Sequence, residues 1–329
     1  MSRDEIIELL SLNTPGDIEG LFQAADRVRK ECVGDEIFLR GIIEFSNYCR
    51  NNCLYCGLRR GNLLAERYRM EDDEIIGLAK SIQSRACSTV VLQSGEDPLY
   101  TRDRMRRIIA RIKDETGLAI TLSIGQRTYE DYKAFREAGA DRYLLRHETA
   151  NPNLYASLCP GRTLDERTQC LNWLRELDYE VGMGCMAGLP GQTVEDLADD
   201  VLLIKGLEAD MIGIGPFIPH EQTPLNAHTP GDALLVLKML AIIRLVTRDT
   251  NIPSTTALGV LDQASRKKAF EAGANIFMPV FTPQDYARRY DIYPGKGNVK
   301  KADGAILDFK AFFDSIGRPI GIGPGGRRR

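Results

Sequence analysis

Residues 88–124 read STVVLQSGEDPLYTRDRMRRIIARIKDETGLAITLSI. A β-branched run from Ser88 (STVVLQS) passes through a turn into a longer stretch, 102–115, with apolar residues at helical spacing. A second β-branched run (LAITLSI, from Leu118) follows. The unit is strand, helix, strand, and two strands joined in this way lie parallel with a right-handed crossover.

Working outward, the pattern repeats from residue 37 to 281. The other β-branched runs are IFLRGIIEF from Ile37, RYLLRHE from Arg142, YEVGMGCMAG from Tyr179, DMIGIGPF from Asp210, IPSTTAL from Ile252 and NIFMPVF from Asn275. Helical spacing predicts helices over 71–85, 102–115, 129–137, 163–177, 194–205, 232–246 and 262–271. Gly139-Ala140 and Gly273-Ala274 each follow a helical stretch and precede a strand, where a glycine just past the helix end belongs. Eight strand–helix units close into a (β/α)8 TIM barrel; an open doubly wound sheet is the alternative. The expected organisation is an N-terminal helical extension over 1–36 (helices 4–12 and 16–30), a barrel over 37–304, and a C-terminal helix (305–316) and tail to 329.

Composition agrees with one folded α/β chain. A length of 329 residues suits two average domains or one large barrel. With 43% hydrophobic and 27% charged residues, disorder is excluded. The 43 basic against 46 acidic residues, net -3, remove the electrostatic argument for nucleic acid or an anionic membrane, and Arg327, Arg328 and Arg329 are too few to restore it. No apolar stretch approaches a membrane span and the start MSRDEIIELL lacks a secretory pattern, so a cytoplasmic protein is expected. Its eight cysteines should then be reduced.

Several strand ends are more polar than a packed core needs: Gln93-Ser94, Thr121 and Ser123, Arg146 to Thr149, and Ser254-Thr255-Thr256. Barrel chemistry collects at the C-terminal ends of strands, so these predict a polar cavity there.

Cys49-Arg-Asn-Asn-Cys53-Leu-Tyr-Cys56 follows the first predicted strand, with spacing C-x3-C-x2-C. A structural zinc site closes with four ligands, yet no further cysteine or histidine is near in sequence; His147, His220 and His228 are remote. Three thiolates on a [4Fe-4S] cluster leave one iron open to a small molecule.

With Tyr55 before its last cysteine, this motif resembles the fingerprint of the radical S-adenosylmethionine (SAM) superfamily. In that superfamily the open iron is chelated by the amino and carboxylate groups of SAM, and reductive cleavage yields a 5'-deoxyadenosyl radical. FSNYCRNNCLYCGLRR (45–60), RYRM (67–70), LQSGEDP (92–98), DRYLLRHETANP (141–152), GLPGQT (188–193), GIGPFIPH (213–220), TTALG (255–259) and YPGK (293–296) resemble more narrowly the HydE-type maturases of [FeFe]-hydrogenase. Methylornithine synthase and biotin synthase are similar in plan.

The resemblance implies that Cys49, Cys53 and Cys56 ligate the cluster and that Tyr55 contacts SAM. It implies Ser94-Gly95-Glu96 as the motif binding the SAM amino group, and Glu148 and Arg167 as its SAM-binding carboxylate and guanidinium. Thr121, Arg146, Thr255, Thr256, Met278, Tyr290 and Tyr293 match positions lining the substrate cavity. One departure is plain: many members carry a second cluster motif near the C-terminus, whereas here no cysteine follows Cys185, so one cluster is expected. The implied activity is reductive SAM cleavage to a radical that attacks the sulfur of a small cysteine-bound iron carbonyl cyanide precursor, with a reducing electron donor and other hydrogenase maturases as partners. A methylornithine synthase-like mutase or sulfur-chemistry enzyme acting on a small amino acid, and a noncatalytic iron-sulfur scaffold, are the alternatives.

Overall fold

The computed structural model describes residues 1–85, 87–298 and 300–327, so Arg328 and Arg329 of the terminal basic run lie outside the described residues. Its strands are β1 (Phe38–Ser46), β2 (Thr89–Ser94), β3 (Ala119–Ser123), β4 (Arg142–Leu144), β5 (Glu180–Met183), β6 (Met186–Ala187), β7 (Met211–Ile212), β8 (Gly215–Pro216), β9 (Pro253–Ser254) and β10 (Ile276–Phe277). Eight of them form one parallel sheet in the order β7-β5-β4-β3-β2-β1-β10-β9, while β6 and β8 pair with each other. The sheet curls until its edges meet at a single bridge, Met211 to Asn251, where Ile212 N donates to Asn251 O at 2.9 Å. It is a nearly closed (β/α)8 barrel, and the open doubly wound sheet is set aside.

The helices form where the spacing places them, for example Arg102–Thr116, Tyr129–Glu137 and Val194–Gly206. Thr128, Thr163 and Thr193 each cap a helix reciprocally with the acidic residue three positions on. Gly139 and Gly273 adopt φ of 108° and 109°, a left-handed turn that favours glycine.

Strand lengths depart from expectation on the far side of the barrel. The runs from Tyr179 and Asp210 each break into two short strands, because Gly184 and Gly213 approach so closely that a Cβ on Gly184 would lie 2.0 Å from Gly213 O. The run IPSTTAL ends as a strand at Ser254. Thr255 then accepts from Leu258 N and starts helix Thr256–Leu261, and the helix expected over 262–271 shortens to Gln263–Lys268.

Helix Arg3–Leu10 packs on helices Val194–Gly206 and Ala233–Thr247, and helix Pro15–Cys32 packs on the latter. After helix Ala302–Ser315 the chain crosses the N-terminal end of the barrel. Ile320 bridges Ile37, Pro324 O accepts from Thr89 Oγ1 at 3.3 Å, and Gly325 O accepts from Arg40 and Asn251. The tail is therefore the floor of the barrel. No helix among the described residues is long and apolar enough to cross a membrane.

Candidate active site

At the opposite end, residues 47–70 form a long loop between β1 and helix Asp72–Gln83 that carries the three cysteines. Irregular backbone needs partners for its carbonyls, and Arg67 supplies them. Its Nη1 donates to Asn47 O (2.6 Å) and Leu58 O (2.9 Å), and its Nη2 to Arg59 O (2.8 Å) and Asn62 O (3.2 Å). Arg69 forms a two-pronged pair with buried Asp97 (2.7 and 3.0 Å) and lies 3.4 Å from the Tyr48 ring centroid.

The loop is pressed against the end of β2. A Cβ on Gly95 would sit 2.3 Å from Tyr48 O and 2.8 Å from Cys49 Cβ, so only glycine permits the approach. Glu96 accepts from Arg50 (3.0 Å), Arg162 (2.7 Å) and Gln126 N (2.7 Å). Burial raises its pKa, but the Gln126 amide and Arg162, Arg167 and Arg50 outweigh that and hold the carboxyl below its ordinary range. Glu96 thus ties the cysteine loop to the barrel rather than facing the cavity.

All three cysteines are half-buried, and Cys53 and Cys56 face the barrel interior. Burial pushes the thiols of Cys49 and Cys56 up, while a hydrogen bond with Cys159 lowers that of Cys53. Cys159, remote in sequence, is thus brought beside the triplet. Among the described residues, the trio of metal-ligating side chains gathered within 4.8 Å is His147, Cys185 and Asp200, not the cysteine triplet. Three thiol donors on one loop, two of them lining the barrel cavity, are the donor set a [4Fe-4S] cluster takes.

Beneath the cysteines a cavity of about 330 Å³ runs down the barrel axis. Tyr55, Ser94, Glu148 and Arg167 line it, and so do Thr121, Arg146, Thr255, Thr256, Met278, Tyr290 and Tyr293. Of the candidate residues, Cys49, Gly95 and Glu96 stand behind its wall. Burial raises the phenol pKa of Tyr55 far above its usual value, so the ring stays neutral. Arg167 donates from Nε to Tyr155 at 3.1 Å.

The cavity's polar groups are short of partners. Thr121 Oγ1, Arg146 Nε and Glu148 Oε2 are buried without a hydrogen bond. Arg146 Nη2 approaches Glu148 Oε2 at 3.2 Å without hydrogen-bond geometry, and donates to Cys185 O at 2.7 Å. Thr121 Oγ1, with no partner of either kind, costs about 1–3 kcal/mol as a buried unsatisfied group, a cost a bound ligand relieves. Glu148 also sits at φ 69°, a left-handed conformation worth about 1–3 kcal/mol of strain for a residue with a side chain.

Sequence reasoning missed part of this wall. Arg40, Ile42 and Glu44 alternate along β1 and all face the cavity, and Glu44 forms a buried ion pair with Lys296. Two charges four apart in the otherwise apolar run IFLRGIIEF were the available sign, since a strand's period of two puts both on one face.

A nearly closed barrel with a cysteine-bearing loop at its catalytic mouth is the plan of a radical SAM enzyme, and residues 43–204 match the profile of the Radical SAM superfamily. Across its full length the chain is 48% identical to the [FeFe] hydrogenase maturase subunit HydE of Thermotoga maritima, covering 94% of that protein. It is 30% identical over 262 residues to biotin synthase of Geobacter sulfurreducens, covering 77% of this chain and 78% of that enzyme. The crystal structure of methylornithine synthase (PylB) superposes with a TM-score of 0.87 at 27% identity, covering 97% of this chain and 94% of that one. The chain belongs to the HydE family of radical SAM enzymes. Membership brings a [4Fe-4S] cluster and SAM as cofactors, a small-molecule substrate and an electron donor.

Proposed function

We propose that this chain matures [FeFe]-hydrogenase by radical chemistry at the sulfur of a small cysteine-bound iron carbonyl cyanide precursor. The observation that carries the reading is one cavity lined both by Cys53 and Cys56 and by Arg146 and Thr121, whose Nε and Oγ1 have no hydrogen-bond partner. Cys49, Cys53 and Cys56 would hold the [4Fe-4S] cluster. Ser94 and Gly95 accept the SAM amino group, Glu148 and Arg167 its ribose and carboxylate, and Tyr55 packs against it. Glu96 serves this set by holding the loop. Bound together, reduced cluster and SAM supply a 5'-deoxyadenosyl radical.

The deeper residues orient the substrate. Arg146 has a free Nε for a carboxylate, and Thr121 has a hydroxyl with no other partner. Thr255, Thr256, Tyr290 and Tyr293 complete a polar wall, while Met278 gives an apolar face that excludes water. The sulfur is the atom these residues present to the radical. The electron donor, other hydrogenase maturases as protein partners and a cytoplasmic location complete the proposal.

The fold shared with methylornithine synthase favours a second reading, a mutase acting on a free amino acid. One experiment separates these from a scaffold. SAM is added to the anaerobically reconstituted, reduced enzyme, and the EPR spectrum and 5'-deoxyadenosine or adenosylated products are followed with the iron complex and with lysine. We expect SAM to change the spectrum, the iron complex to accelerate cleavage and Arg146→Ala to remove the acceleration with iron retained. Turnover of lysine beside an inert iron complex would establish the mutase, and an unchanged spectrum at saturating SAM the scaffold.

A further inference from the structure

Glu148 is held in its left-handed conformation by contacts from outside the barrel. His147, one residue before it, turns away from the cavity and places Nε2 3.1 Å from Asp200 Oδ1 on helix Val194–Gly206. Ala150, two residues after it, donates its amide to the same oxygen at 2.5 Å. Cys185, the residue bridged to Glu148 across the strands, brings its thiol to the same carboxylate. One turn earlier on that helix, Asp196 Oδ1 accepts from Asn151 Nδ2 at 2.8 Å. His147, Cys185 and Asp200 are all fully buried.

A carboxylate that far from water is a costly way to pack a helix on a barrel, and an apolar residue would serve packing better. What it does here is local. It holds the His147 side chain before Glu148 and the Ala150 amide after it, and lies beside the thiol of the strand partner opposite. His147 Nε2 and Asp200 Oδ1 bond each other at 3.1 Å, while His147 Nδ1 and Asp200 Oδ2 have no hydrogen-bond partner, so a metal ion among the three side chains is the rival that the test below includes.

We propose that Asp200 is a positioning residue of the cofactor site, clamping residues 147–150 so that the Glu148 carboxylate meets SAM without reorganising. The inference rests on the reading of Glu148 as a SAM contact, and it makes no claim on the cluster. Preorganisation of this kind appears in affinity for the ligand rather than in its chemistry.

The test is a double-mutant cycle on the reconstituted holoenzyme, with SAM affinity read by titrating the EPR spectrum of the reduced cluster and iron per chain read beside it. Asp200→Ala should weaken SAM binding about tenfold at unchanged iron content. Asp200→Asn, whose amide oxygen still accepts from Ala150, should recover most of the loss. In a Glu148→Ala background Asp200→Ala should change affinity by less than about twofold, which general damage to the barrel would not produce. His147→Phe cuts the same clamp from its other side and substitutes for Asp200→Ala if that variant yields no soluble protein. If Glu148→Ala weakens SAM but Asp200→Ala does not, or if the two losses multiply, the clamp is refuted while the Glu148 assignment stands. If Glu148→Ala itself leaves SAM affinity intact, the underlying assignment fails instead. Stoichiometric zinc that survives chelation in wild type and is lost with Asp200→Ala would replace the clamp with a metal site.

Discussion

The two ends of the barrel bury similar side chains and treat them differently. At the floor, Arg142 bonds Glu180 at 2.7 Å and Thr89 Oγ1 at 3.1 Å, Arg40 and Asn251 share Gly325 O, and Arg327 reaches Asp249 at 2.8 Å. Arg40 Nε and Arg327 Nε lack partners there, but each guanidinium is anchored through its other nitrogens. Along the cavity, Thr121 Oγ1 has no partner, and Arg146 Nε lacks one although its Nη2 bonds Cys185 O at 2.7 Å and lies 3.2 Å from Glu148 Oε2. Groups that satisfy one another stabilise a fold, whereas groups left unsatisfied beside a cavity are available to a ligand. The division matches a general property of barrels, with stability at the N-terminal face and chemistry at the C-terminal one.

The largest effect expected to break this contrast lies at the mouth. Anaerobically reconstituted wild type should hold about four irons per chain, the content of one [4Fe-4S] cluster. Cys49→Ala should bring iron to background while circular dichroism remains that of a folded barrel. Two magnetically distinct clusters with about eight irons would contradict a single three-cysteine site.

A floor variant should do the reverse. Glu180→Ala strands Arg142, which is 2% exposed, without its carboxylate. The loss is about 3 kcal/mol, or roughly 4 °C in Tm for a chain of this size. Iron content and the SAM-induced EPR change should be those of wild type. A variant that loses SAM binding at unchanged Tm would show that the two ends are not separable.

The contrast was only partly visible in the sequence. Eight β-branched runs between helical stretches carry the barrel because strand and helix periods are local properties. Cys49, Cys53, Tyr55 and Cys56 were legible for the same reason, sitting within one short motif. Glu96 lies in a motif assigned to the cofactor, yet its partners Arg50, Arg162 and Gln126 come from three other segments, so its side chain points to the loop instead. Cys159 and Asp200 carry no local pattern at all. Their positions beside Cys53 and behind Glu148 arise from the packing of a helix or loop against the barrel, which no spacing along the chain encodes. Thr255 was expected in a strand and caps a helix, because a threonine hydroxyl competes for a backbone amide as readily as its β-branch favours extension.

The smallest expected effect probes the orphan hydroxyl of Thr121, which is 2% exposed and bonds nothing. Threonine to valine normally destabilises a buried site because the hydroxyl's partner is stranded. Here there is no protein partner to strand, and valine nearly matches threonine in volume. Thr121→Val should therefore change stability by no more than about 0.5 kcal/mol, in the direction of a slight gain since a buried unpaired group is removed. If the hydroxyl waits for the substrate, its loss removes one hydrogen bond from the bound complex, worth about 1 kcal/mol, and substrate affinity should fall roughly fivefold. SAM affinity and iron content should not move, since Thr121 is assigned to neither. Measuring Tm beside the substrate concentration for half-maximal acceleration of SAM cleavage distinguishes the outcomes. A drop in Tm of several degrees would mean that the hydroxyl has a partner within the fold and that the mouth, at this residue, is built like the floor.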